Sequence, residues 1–260
     1  MEYQGSSPRF NLPVSRFSPG RDMVSVRVET DSAAKVGNLW DYLAKRGIIV
    51  LGAMLNADRN GVIAYGILDV TDVGRDAAME ALRDVPIEGM RLEVMDPGVI
   101  GFAFTGGHLL EAGSGRAVIA SERNLAGFFR GMRELMGEEM GSTILYYAGL
   151  TSGREWGKFL MNLQYDPRTA VKINFEVMKS QGYATSITIL EGEDRYRIEA
   201  RDLVECDALS DYAAERGGRM RTSHWFRGAI AGFLSAVEGG EWDVEEVECI
   251  NDGSDKCAFE

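Results

Sequence analysis

"IIVLGAMLNADRNGVIAYGILDV", residues 48–70, has two apolar runs flanking "ADRNG" (57–61), where Asp, Asn and Gly favour a tight reversal. The stretch reads as two strands joined by a turn. Working outward, "VSVRVET" (24–30) alternates as a strand. Asp31 or Ser32 can then cap a helix whose apolar side carries Ala34, Val36, Leu39, Trp40 and Leu43 and which ends near Gly47. On the other flank, "VGRDAAMEALRDV" (73–85) has helical spacing and "MRLEVM" (90–95) returns as a strand. The order is βαββαβ, the split βαβ or ferredoxin-like arrangement of one antiparallel sheet covered by two helices.

That order, over residues 23–97, resembles the ACT-type regulatory domains, modules that often pair and bind amino acids at the pair's interface. A ferredoxin-like dimerisation module without a ligand fits the same order. Residues 1–22, rich in Ser, Pro, Gly and Arg, read as a tail that orders only by packing on something else, with Phe10, Leu12 and Phe17 as anchors. Asp96-Pro97-Gly98 is a natural boundary, since Pro disfavours helix in its predecessor and Gly permits a sharp turn.

From residue 98 to 260 the chain turns helical first. "SERNLAGFFRGMRELMGEEMG" (121–141), "STILYYAGLTSGREWGKFLMNL" (142–163) and "RTAVKINFEVMKSQGY" (168–183) read as three helices, with glycines where helices approach or break. A hairpin follows at 184–205, turning at Glu191-Gly192-Glu193-Asp194. Then come an amphipathic helix at 221–239 and a final hairpin, "WDVEEVECINDGSDKCAFE" (242–260). The fold class expected is α+β: a βαββαβ domain, then an α/β ligand-binding domain with helices packed on an antiparallel sheet.

"HWFRGAIAGFLSAVEG" (224–239) followed by "EEVECINDGSDKCAFE" (245–260) resembles the 4-vinyl reductase-type small-molecule-binding domain, related to phenol-responsive sensors and haem-based nitric-oxide sensors. The resemblance implies a ligand trap, usually dimeric, with an apolar pocket between helices and sheet. It also implies a structural zinc site that includes Glu246, Cys249 and Cys257. The family's further cysteine falls at Ser223, beside His224, so His224 or Cys206 (in "LVECDAL", on the neighbouring strand) is the candidate replacement. Thiolates and imidazole suit tetrahedral Zn²⁺. Buried inert thiols and a redox pair are the other readings of the cysteines.

Candidate pocket residues are Phe128, Met132, Tyr146, Trp156, Phe159, Phe175, Trp225 and Phe233, all on stripes that are first of all core. Arg130, Arg133 and Lys158 lie on the same segments and either pair with an anionic ligand group or snorkel at the surface.

With 28 Lys and Arg against 40 Asp and Glu, a net charge of -12, direct nucleic-acid binding through phosphates is disfavoured. No apolar run reaches the roughly 20 residues of a membrane span, and three cysteines in 260 residues point to a reducing, cytoplasmic setting. "GGHLLEAGSGRA" (106–117) lacks the Lys-Ser/Thr of a P-loop and the Rossmann glycine spacing. His108 reads as a surface histidine, and neither histidine sits in a haem-ligating motif, so haem is disfavoured. No catalytic residue is assigned. The expectation is a cytoplasmic, homodimeric sensor or carrier of a small hydrophobic or aromatic molecule, with structural zinc and an unidentified protein partner. Its rivals are an enzyme or accessory of tetrapyrrole metabolism and a non-catalytic dimeric scaffold that buries an acyl chain.

Overall fold

The structure is a computed structural model that describes residues 11–106, 110–112, 115–192 and 195–260. Phe10, His108 and the Glu193-Asp194 part of the expected turn lie outside the described residues. Two compact units divide after Ala117, and no helix among the described residues is long and apolar enough to cross a membrane.

The first unit contains β1 (Ser15–Phe17), β2 (Met23–Thr30), α1 (Ala33–Ala44), β3 (Ile49–Asp58), β4 (Gly61–Asp69), α2 (Arg75–Arg83), β5 (Arg91–Met95) and β6 (Phe102–Phe104). A small hairpin, β7 (Leu110–Ala112) with β8 (Gly115–Ala117), completes it. Strands β3-β4-β2-β5 form one sheet, antiparallel throughout, so β2 through β5 realise the βαββαβ order. Ser32 caps α1, its Oγ accepting from Ala34 N at 3.2 Å. Val36, Leu39 and Leu43 of that helix join Val24, Val26, Val28, Ala64 and Leu68 of the sheet in one core. Trp40 lies so close over Gly66 that a Cβ there would meet its ring at 2.7 Å.

The division falls after Ala117 rather than at 97–98, because the chain beyond Pro97 turns back into this unit. Phe102–Phe104 pairs antiparallel with Ser15–Phe17, and Ala103 is buried with Met23 and Ile67. The segment read as a tail is thus partly a strand.

The second unit begins with α3 (Glu122–Met136), α4 (Glu138–Asn162) and α5 (Pro167–Ser180). Next come β9 (Ser186–Glu191), β10 (Tyr196–Arg201), α6 (Val204–Ala208), α7 (Ser210–Glu215), α8 (His224–Val237), β11 (Glu246–Glu248) and β12 (Cys257–Phe259). Its sheet runs β11-β12-β10-β9, again antiparallel. Gly137, at φ 81°, ends α3, so the boundary between the first two helices lies before Glu138 and α4 is longer than expected. The core joins Leu160, Phe175, Phe226, Ile230, Phe233 and Leu234 with Ile198, Ala200 and Phe259 of the sheet.

Helices α4 and α8 cross in near backbone contact. A methyl at Gly149 or Gly153 would fall 2.0 Å from the carbonyl oxygen of Trp225 or Ala229, and one at Gly228 or Gly232 equally close to that of Tyr146 or Leu150. Only hydrogen at these Cα atoms permits the crossing.

Candidate functional site

Two features of the second unit stand out, a buried cluster of acidic groups and an aromatic cavity. The cluster is assembled mainly by the final hairpin. Cys249 follows β11, a 3₁₀ turn spans Ile250–Asp252, and Gly253, at φ 104°, reverses the chain so that Cys257 returns at the start of β12. Asp252 Oδ1 accepts from Ser254 N and Oγ, holding the turn. Glu246 opens β11. Cys206 arrives on α6 and not on a strand, since Asp202 adopts a left-handed φ of 50° and ends β10.

The four ligand atoms of Cys206, Glu246, Cys249 and Cys257 lie within 4.8 Å of one another, and all four residues are buried. Cys206 Sγ is 3.2 Å from Cys257 Sγ and 3.6 Å from Cys249 Sγ. Ser223 Oγ approaches Cys206 Sγ at 2.7 Å, and Thr222 Oγ1 approaches the same sulfur at 3.4 Å. Asn251 Nδ2 donates to Cys206 O and to Thr222 Oγ1, bracing the wall. Glu246 Oε2 accepts from Ser223 N at 3.1 Å, whereas Oε1 is buried with no hydrogen-bond partner. His224 is outside the cluster: it starts α8 one residue after Ser223, and burial pushes its pKa down to about 4.

The electrostatics show four acids competing for few charges. Bonds from Cys206 and Cys257 hold the Cys249 thiol far below its ordinary value. Cys206 is raised well above the thiol range by its bonds to Cys249 and Cys257, then by burial. The bond with Cys206 lowers Cys257, but the bond with Cys249 and burial outweigh it and leave that thiol at about 12. Burial, then the charge on Cys249, pushes Glu246 up to about 9. Of the four groups, Cys249 is therefore the one that gives up its proton most readily.

Glu205, beside Cys206, was not distinguishable in the sequence from any solvated carboxylate. It is buried, accepts from Trp225 N at 3.0 Å and Phe226 N at 2.9 Å, and so caps α8 from another element. Burial raises its pKa to about 7.

Trp225 connects this cap to the second feature. A cavity of about 200 Å³ lies among α4, α5 and α8, with Trp156, Met178, Tyr183, Trp225 and Phe233 in its walls. Tyr183 and Trp225 stack at 5.5 Å, nearly parallel. Asn174 also lines it; the residue is 4% exposed, and its amide has no hydrogen-bond partner among the described residues.

Of the aromatic residues expected at a pocket, the structure brings Trp156, Trp225 and Phe233 together. Phe159 stacks on Trp156 at 5.3 Å without lining the cavity, and Phe175 is fully buried core. Met132 packs with Phe129, Leu145 and Tyr212, and Tyr146 lies under the Arg227 guanidinium. Phe128 is exposed. The cations read as ligand partners are otherwise engaged. Arg130 pairs with Glu134 and Glu215, and Lys158 with Glu155. Arg133 is fully buried, donating to Phe129 O, Thr222 O and Glu138.

No protein-family model matches the chain, and no curated protein matches it. Among solved structures, one similar to it is the phenol-responsive sensory domain of the transcription activator PoxR with phenol. The likeness has 16% identity and a TM-score of 0.48, and it covers 56% of this chain and 75% of that one.

Proposed function

We propose that the second unit is a small-molecule sensor: a compact, single-ring aromatic molecule occupies the cavity at Trp156, Trp225 and Phe233, and a structural zinc ion held by Cys206, Glu246, Cys249 and Cys257 fixes the wall beside it. The observation that carries the reading is the cavity itself: Trp156, Trp225 and Phe233 line it, Tyr183 stacks on Trp225 at 5.5 Å, and the Asn174 amide in its wall offers a ligand a polar partner. The volume lies below the roughly 300–1,000 Å³ of drug-sized sites, so a small ligand is favoured. The cavity and its amide, and not the likeness to the PoxR domain, support this reading.

The cluster fits zinc on its donor chemistry. Three sulfurs and a carboxylate are a tetrahedral Zn²⁺ set, and Zn–S bonds of about 2.3 Å place sulfurs about 3.8 Å apart, close to the spacings found here. The orphaned Glu246 oxygen would gain a partner. Bound zinc would supply charge neutralisation and a clamp across the hairpin. The chain's own contribution is the Cys206–Glu205–Trp225 connection, by which order at the cluster reaches the cavity wall. An ACT-like regulatory role for the first unit belongs to the same proposal and rests on its element order.

Two measurements test it. Thermal shift with phenol as probe should raise the melting temperature of the wild type and not of Trp225→Ala or Asn174→Leu; no shift with any single-ring aromatic would refute the pocket. Elemental analysis of tag-free protein should find about one zinc per chain, lost in Cys257→Ser and kept in His224→Ala. Folded, metal-free wild type would remove zinc and leave inert thiols or a redox pair.

A further inference from the structure

Helix α8 stands between two cavities. Ala229 and Phe233 face the one at Trp225, while Ile230 and Leu234, one position further on, face a second and larger one of about 400 Å³. The floor of the second is apolar, where Ile230 and Leu234 meet Ile198 of β10 and Phe259 of β12. Its wall is aromatic: the rings of Tyr196 and Trp242 have centroids 5.5 Å apart and planes inclined at 40°. The chain around them sets both rings in place. Gly239 and Gly240, at φ 81° and 76°, reverse the chain after α8, and Trp242 N then donates to Ser235 Oγ at 3.1 Å. Tyr196 Oη donates to Glu238 Oε1 at 3.0 Å. Sharing that proton with a carboxylate enriches the ring in electron density, and the negative face of an aromatic ring attracts cations.

The rim carries the charge. Glu241 and Asp243 are exposed at the mouth and have no ion pair among the described residues, and Glu260 beside them is engaged by Arg197. Among the described residues, Arg195 is the only cation in this wall. An adjoining hollow of about 430 Å³ shares Arg195, Tyr196 and Trp242 with it, and adds Asp166, Glu191 and Glu238 against Arg168, which Glu191 holds at 2.8 Å. The field at the two rings is therefore negative, as is the chain as a whole at a net charge of -12. We infer that this cavity is a second ligand site, for an organic cation with an apolar body. The ammonium group seats against Trp242 and Tyr196 in the field of Asp243 and Glu241, and the body lies on the apolar floor. The volume falls within the roughly 300–1,000 Å³ of small-molecule sites, and the two rings supply the cation–π attraction that sets ammonium apart from a neutral group. The inference stands apart from the aromatic ligand and the metal proposed above, since a different face of α8 builds this site.

Isothermal titration calorimetry of the full chain with hexyltrimethylammonium tests it. That probe has a permanent charge and no ring that could report on the first cavity; 1-hexanol and hexanoate are the neutral and anionic controls. The cation should bind about 10-fold more tightly than hexanol, and hexanoate more weakly still. Trp242→Ala should weaken cation binding by about 10-fold and Trp242→Phe by less, whereas Trp225→Ala should leave it unchanged. The exposed pair Asp243→Asn and Glu241→Gln, which keeps the fold even where Trp242→Ala does not, should weaken it by about 3- to 5-fold at low salt. No heat at about 10 mM cation, binding no tighter than that of hexanol, or binding indifferent to the paired amide substitutions overturns the inference. Loss of binding in Trp225→Ala with retention in Trp242→Ala would put the cation in the first cavity and overturns it as well.

Discussion

Replacing Gly153 by Ala should destabilise the second unit, although Gly to Ala inside a helix ordinarily helps. The gain in helix propensity is up to about 1 kcal/mol. Against it, the new methyl would sit 2.0 Å from Ala229 O and 2.9 Å from both Ala229 C and Phe233 N. These are backbone atoms of α8, and they cannot swing aside as a side chain would. Relief requires the helices to separate by more than 1 Å, yet Gly149, Gly228 and Gly232 are in equally close contact along the crossing. Overpacking of this kind costs about 1–3 kcal/mol and sometimes more, and here the displaced atoms lie in two long elements at once. We expect a net loss of about 2 kcal/mol, or about 4–8 °C in melting temperature. Urea unfolding followed by tryptophan fluorescence gives the free energy by linear extrapolation. Gly127→Ala on α3, where nothing lies within 4 Å of the new atom, is the control and should be neutral or stabilising. Equal stability of the two variants would refute the close-crossing argument.

Three further outcomes follow from the buried polar groups. Arg133→Met removes the guanidinium's bonds to Phe129 O, Thr222 O and Glu138, although Thr222 O keeps the N–H of His224 at 3.0 Å, and should cost about 1–3 kcal/mol in urea unfolding; a loss under about 0.5 kcal/mol would show that water replaces the guanidinium. His224 has a folded pKa of about 4 against 6.5 for the free side chain, with burial the main cause, then Arg133 and Arg227, opposed by Glu138. The unfolded chain therefore takes up the proton first, and a contribution of up to about 3 kcal/mol, full above pH 6.5, is lost as pH falls toward 4; His224→Gln should flatten that part of the stability profile. Asn174→Leu should change the stability of ligand-free protein by less than about 1 kcal/mol, since the amide faces the cavity and is not sealed within the core, and a larger loss would mean that the amide is satisfied within the protein.

The parts of the fold that were legible are those whose pairing is local. Residues 24–95 show alternation, a cap at Ser32 and a turn at 57–61, and each element finds its partner within the same unit. The β1–β6 ribbon was not legible, because three residues beside Pro13 and Pro19 carry no periodicity and their partner lies at 102–104. At the cluster, Glu246, Cys249 and Cys257 share one hairpin and could be read together. Cys206 could be named but not placed, because the strand before it ends at a positive φ that an Asp does not announce. His224 adjoins Ser223, which touches Cys206, yet one step along a helix turns the side chain by about 100°. Arg133 looked like a surface cation, since its burial depends on Thr222 and Glu138, elements that only tertiary packing brings to it.

The order β11-β12-β10-β9 has a consequence for synthesis. Strand β12 lies between β11 and β10, so an interior strand of this sheet is the last of its strands to leave the ribosome. Until Cys257–Phe259 emerges, one side of β10 has no neighbour. At about 5–20 residues per second, translating the stretch from Asp202 to Lys256 takes roughly 3–11 s, during which the nascent chain carries an open strand edge and unpaired thiols. Folding of this unit therefore cannot finish in the order of translation, and a chaperone that shields strand edges would find its substrate in that interval.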